Sequence, residues 1–219
     1  MAAKSTRKPA KPSAARQRAA ILDAALELAA AGPWNGVTFV RIAQASQVSL
    51  SELYGQFPGR MAIWRALMAR ADERVLAETD TGSTDESVRD RLFDILMRRF
   101  DVLAENRDGV ISMARGIACD PAAAMCAAPT LMKSMRWMLE ATGVSTAGVC
   151  GSLRVKGLAA VYASAFRIWM RDDSEDMSRT MAALDKSLER AEKLSGICVG
   201  RRPRKEQDGE DPVASPSPG

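Results

Sequence analysis

The chain has no histidine among its 219 residues, and its four cysteines, Cys119, Cys126, Cys150 and Cys198, form no Cys-x-x-Cys pair. Structural zinc sites draw on clustered Cys and His at short spacing, so no metal is assigned. There is no glycine-rich phosphate loop, and no nucleophile stands beside a base at a catalytic spacing. Acid–base chemistry would fall to carboxylates such as Glu27, Glu105 or Glu140, each read more simply as a helix surface charge. The chain is therefore not expected to be an enzyme, and no cofactor is assigned. No apolar run approaches the ~18 residues that span a bilayer, and Asp23 and Glu27 interrupt the first apolar stretch where a secretory core would lie. β-Branched residues are sparse and no useful period-two pattern appears, which leaves little room for strands. The expectation is a cytoplasmic all-α protein without stable membrane insertion. The first three cysteines fit helical core positions as buried free thiols, and Cys198 lies near the tail.

Ala, Leu, Met, Arg and Glu dominate, and the most informative stretch is 38–64, TFVRIAQASQVSLSELYGQFPGRMAIW. Ile42, Ala43, Val48, Leu53, Tyr54 and Phe57 are spaced so that two short helices crossing steeply share one small core. Thr38 and Ser49 stand at N-cap positions. The pattern is helix, turn, helix, which is either a plain helical hairpin or the motif that lays its second helix in the DNA major groove.

The residues of this stretch resemble the DNA-binding domain of the TetR/AcrR family of bacterial regulators. That family opens its second helix with Thr, continues with Ile-Ala and an Ala-Gly-Val-Ser turn, and ends the recognition helix in Leu-Tyr-x-x-Phe before a basic residue. Here these stand as Thr38, Ile42-Ala43, Ala45 to Ser49, Leu53-Tyr54-Gly55-Gln56-Phe57 and Arg60, and 18–29, RAAILDAALELA, is similar to the family's first helix. The resemblance covers about residues 14–70. It implies a DNA contact set of Thr38, Ser49, Leu50, Ser51, Glu52, Tyr54, Gly55, Gln56 and Arg60. The chain departs from the pattern at Gln47, where Gly is usual; at Leu50-Ser51-Glu52, where basic or small residues and Gly are common; and at Gly55, often His. Glu52 on a groove-facing helix repels phosphate unless it accepts from a cytosine amino group. Residues 1–18 carry Lys4, Arg7, Lys8, Lys11, Arg16 and Arg18 with no acid. Such an arm suits phosphate or minor-groove contact, with Arg16 and Arg18 nearest the helices; a solvated tail or a transit peptide are the alternatives.

Four units are expected: a disordered basic arm (1–13), a three-helix helix-turn-helix domain (14–59), a helical ligand-binding and dimerisation domain (60–196), and a disordered tail (197–219). A TetR-like fold of about nine helices is implied. The spacing predicts helices over about 60–78, 87–106, 110–118, 130–141, 147–171 and 174–195, with a polar loop at 79–85, a turn at 107–109 and a break or kink at Pro129.

The middle helices are rich in soft side chains. Phe93, Met97, Phe100, Met113, Met135, Trp137, Met138 and Tyr162 are the candidate lining of a pocket for a small apolar effector or lipid. An inward-facing Arg115, Arg136, Arg154, Lys156 or Arg167 would point to an acidic ligand, and snorkelling to the surface is the alternative. The resemblance further implies a homodimer through the last two helices, with Leu153, Val161, Ala165, Trp169, Met177, Met181, Leu184 and Leu188 at the interface. Such a dimer would match a two-fold double-stranded DNA operator. A second resemblance competes: 89–101, RDRLFDILMRRFD, and 154–158, RVKGL, are similar to TetR-fold lipid-binding accessory proteins of ubiquinone biosynthesis, which do not bind DNA. Against it, no further apolar helix follows the second long helix to lie on a membrane.

Overall fold

The structure is a computed structural model that describes residues 13–79 and 86–195. The greater part of the arm, the 80–85 part of the expected polar loop, the tail and Cys198 lie outside the described residues. Among those described there are helices and turns but no strand.

Side-chain caps punctuate the chain. Ser13 accepts from the Arg16 N–H to open α1 (Ala14–Ala30), and Thr38 accepts from the Arg41 N–H to open α2 (Phe39–Ala45). Ser49 opens α3 (Leu50–Gln56) with a reciprocal capping box. α4 (Arg60–Ala77) follows directly, and Ser87 caps α5 (Val88–Ala104). α6 (Arg107–Ala118) begins where a turn was expected. Gly109 serves packing there: a Cβ on it would lie 2.5 Å from the Leu26 carbonyl oxygen, so α6 rides directly on the α1 backbone. Asp120 accepts from Ala122 and Ala123 N–H groups, and Pro121 takes the first position of α7 (Pro121–Ala141).

α7 is not split at Pro129. Met125, whose carbonyl the proline ring crowds, is exposed with it, so solvent satisfies the freed acceptor. α7 closes at Gly143, whose φ of 76° is a left-handed cap. α8 (Gly148–Trp169) and α9 (Ser178–Ser195) pack against each other. α1 lies on α6, and α4 lies between α1, α5 and α7. One continuous core runs from Ile21 and Leu53 in the head through Ile63, Leu96 and Met135 to Trp169 and Leu188. Cys119, Cys126 and Cys150 are exposed, not buried, because each falls on the solvent side of its turn. Arg115, Arg136, Lys156 and Arg167 are exposed and Arg154 half-buried, so none enters the core.

Candidate nucleic-acid interface and ligand-binding core

α2 and α3 meet through Ile42, Ala43 and Leu53, closed by Phe57 at the end of α3. Gln47 turns the chain with φ 55°, the left-handed conformation that explains why glycine is usual at this place. Tyr54 is not part of this core. It is 71% exposed and stands one helical turn beyond Leu50, itself 51% exposed, with Ser51 and Gly55 on the same outer surface. Gln56 is half-buried. Glu52 turns back rather than outward: its Oε2 accepts from the Ser49 N–H at 3.0 Å and from the Ser49 hydroxyl at 2.9 Å. The acid therefore secures the start of α3, and its charge is held against a helix N-terminus instead of facing a phosphate.

Of the basic residues, Arg60 is engaged internally. Its guanidinium donates to the Trp34, Asn35 and Val37 carbonyls, the last at 2.6 Å, and lies over the Trp34 ring. It fixes the loop that delivers Thr38. Arg18 lies over the Phe57 ring, joining α1 to the end of α3, while Arg16 is exposed near the start of α1. Sequence reasoning passed over Arg41 and Val40, both exposed on α2. Their places as the third and second residues of the Thr38-capped helix were the available signal.

α6 holds the head to the body. The Ser112 hydroxyl accepts from the Trp34 N–H at 3.0 Å and donates to the Gly32 carbonyl at 2.9 Å. One ion pair adds to this junction, Arg70 of α4 with Asp23 of α1 at 2.6 Å, and a second lies beside it within the body, Arg74 of α4 with both carboxylate oxygens of Glu105 at 2.5 and 2.6 Å. They border a cleft of about 280 Å³ between α1, α4, α5 and α6.

The candidate pocket residues divide. Phe100, Met113, Met135, Met138 and Tyr162 are buried and Phe93 and Met97 half-buried, whereas Trp137 is 53% exposed on the outer side of α7. Trp137 is thus corrected as a pocket residue: it lies one position before buried Met138, a rotation of about 100° on a helix. Phe100 stacks on Tyr162 with centroids 5.1 Å apart. Among these apolar side chains sits Arg99, 1% exposed, whose Nε donates to Asp72 at 2.9 Å. Its Nη1 donates to the Tyr162 hydroxyl oxygen and its Nη2 points at the Met68 sulfur, 3.6 Å away. Ser134 donates to the second Asp72 oxygen at 2.5 Å. Burial works against the Arg99 charge, but Tyr162 and Asp72 outweigh it and raise the guanidinium pKa further; Tyr162 is itself pushed up, mainly by burial. α4, α5, α7 and α8 thus meet on one buried cation. Arg99 falls four residues after Ile95 and three after Leu96, on the buried side of α5.

The candidate dimer residues also divide. Val161, Ala165, Trp169, Leu184 and Leu188 are buried within the chain itself, which corrects their assignment to an outer surface. They form the seam between α8 and α9. Met177 is half-buried, while Leu153 and Met181 are exposed, at 60% and 40%, together with Val149 and Ile168 of α8. Apolar periodicity marks a helix face without saying whether its own chain or another covers it.

This architecture, a capped helix-turn-helix head on a helical body, is TetR-like and all-α. Residues 21–67 match the family model of bacterial regulatory proteins, tetR family, and residues 154–195 match that of COQ9. The chain is similar to a TetR transcriptional regulator from Nitrosomonas europaea, with 29% identity, a TM-score of 0.65, and coverage of 81% of this chain and 98% of the other. A TetR transcriptional regulator from Rhodococcus sp. RHA1 shares the fold at 17% identity and TM-score 0.63, covering 82% and 97%. One from Streptomyces coelicolor does so at 18% and 0.55, covering 82% and 84%. No curated protein matches in sequence.

Proposed function

We propose that the chain is a ligand-responsive DNA-binding transcriptional regulator, a homodimeric repressor that a small apolar effector releases from its operator. The observation that carries this reading is the outer face of the head. Leu50, Ser51, Tyr54 and Gly55 of α3 stand exposed, as do Val40 and Arg41 of α2, the helix that packs against it. A tyrosine and a leucine held out by a rigid helix suit base edges and thymine methyls, while Thr38, Gln56, Arg16 and Arg18 flank them for phosphate contact; Ser49 has both its donors on Glu52. Arg60 acts at one remove by holding the loop before Thr38. The head comprises residues 14–59 and the body residues 60–196. Two copies join through the outward apolar residues Val149, Leu153 and Ile168 of α8 with Met181 of α9, so that two heads meet two half-sites.

The match of α8 and the described part of α9 to COQ9 favours a second reading, a TetR-fold lipid-binding accessory protein that does not bind DNA. Titrating the protein against the duplex upstream of its own gene, across a salt series, separates the two. The regulator should bind that duplex at least tenfold more tightly than random sequence, with log affinity falling linearly in log salt. Equal binding to both duplexes, with lipid co-purifying, would overturn the regulator.

A further inference from the structure

Arg99 is a buried cation one of whose donors meets only a weak acceptor. A guanidinium offers five N–H groups. Here Nε meets Asp72 and Nη1 meets Tyr162, but Nη2 faces only the thioether sulfur of Met68, a weak acceptor, in a site that is 1% exposed. A buried donor of this kind gains from any oxygen that can replace the sulfur.

Met68 is also a wall of the 280 Å³ cleft at the junction of α1, α4, α5 and α6. One side of the residue borders open space, and its sulfur covers the guanidinium. Arg99 itself does not line the cleft, so the two would meet only if the thioether swings aside, which an unbranched side chain does at little intrinsic cost. The cleft's inner wall is apolar, with Leu67, Leu103 and Val110, and its border holds the two ion pairs of Arg70 and Arg74. Arg70, Arg74 and Arg99 are matched by Asp23, Glu105 and Asp72. The site therefore lacks an acceptor oxygen, not a negative charge.

We propose that this cleft is a ligand site, with Met68 as its gate, for an uncharged and mainly apolar small molecule carrying one hydrogen-bond-accepting oxygen, such as a ketone, ester or amide. The oxygen accepts from Arg99 Nη2 and the apolar body lies on Leu67, Leu103 and Val110. Its role as effector site rests on the regulator reading. Met68 and Asp72 both belong to α4, so an oxygen that displaces the Met68 sulfur acts on the helix that also carries the Arg70 tie to the head.

The test uses the whole chain with methyl-labelled methionine, titrated with acetophenone, with α-methylstyrene (the same shape with a methylene in place of the oxygen), and with benzoate. Met68→Leu assigns the Met68 methyl signal. Acetophenone should move that signal and bind at least about tenfold more tightly than α-methylstyrene, with benzoate weaker than acetophenone. Met68→Ala opens the gate permanently and should raise the affinity for acetophenone several-fold. Equal binding of acetophenone and α-methylstyrene, tighter binding of benzoate, shifts confined to other methionines, or no saturable binding to either wild type or Met68→Ala would each overturn the site. The same titration repeated on the operator complex reads the effector role: acetophenone should weaken duplex binding, and a bound ligand that leaves it unchanged overturns that role alone. A protein with no operator preference whose Met68 signal still responds refutes the regulator while leaving the ligand site standing.

Discussion

Gly55 sits inside α3 where an added Cβ would meet only open space, and an exposed helical glycine costs about 0.5–1 kcal/mol relative to alanine. A glycine there suits a surface that another molecule approaches closely. Gly55→Ala should therefore raise stability by about 0.5–1 kcal/mol in urea denaturation while weakening operator binding in fluorescence anisotropy. Asp172 offers a second residue-scale test, in the link between α8 and α9. Burial alone would raise its pKa, but donation from Ser174 and from both the N–H and hydroxyl of Thr180 overrides this and brings it down to about 2. Its contribution is thus present above the unfolded value near 4 and is lost as pH falls toward 2. The stability gap between wild type and Asp172→Asn should shrink by about 2 kcal/mol between pH 7 and pH 2; a gap independent of pH would refute the assignment. At this scale the sequence was legible where local rules act. The caps Thr38 and Ser49 were readable, whereas Glu52, set among the DNA contacts, turns back on the helix start in a capping box whose three-residue spacing was the missed signal. Arg99 was not legible, since nothing local distinguishes an arginine that snorkels from one that three other helices enclose.

Among the elements, α6 shows how a residue's usual meaning can be overridden. Arg107-Asp108-Gly109 has turn composition, yet the absence of a side chain at Gly109 is what lets α6 lie on Leu26. Gly109→Ala should cost about 1–3 kcal/mol by thermal or chemical denaturation, because the obstructing atom is backbone and has little freedom to yield. α4 is bound differently, through Asp72 to Arg99 of α5 and Ser134 of α7. Asp72→Ala leaves a cation buried without its counter-charge and should destabilise the fold by about 3–5 kcal/mol. Helix existence and type were readable from caps and periodicity. Which helix covers which face was not, because that depends on contacts far apart in the chain.

For the whole molecule, the same ambiguity divided the expected dimer residues between an inner seam and an outer face. Placing a charge at Leu153, as in Leu153→Glu, should shift the proposed dimer to monomer in light-scattering chromatography while leaving the thermal midpoint nearly unchanged. The corresponding change at buried Leu184 should instead abolish folding. The head was legible as a set of motifs because a helix-turn-helix builds its own small core within a few turns; the body is assembled from long-range packing. The grip of Arg60 on the Trp34, Asn35 and Val37 carbonyls, with Ser112 on the same loop, bears on protein engineering. A chimera that exchanges residues 14–59 for those of a relative keeps the backbone groups that Arg60 and Ser112 grip but loses the side-chain halves of the junction, the Trp34 ring under Arg60 and Asp23 opposite Arg70, so specificity swaps in this scaffold have to keep those two residues.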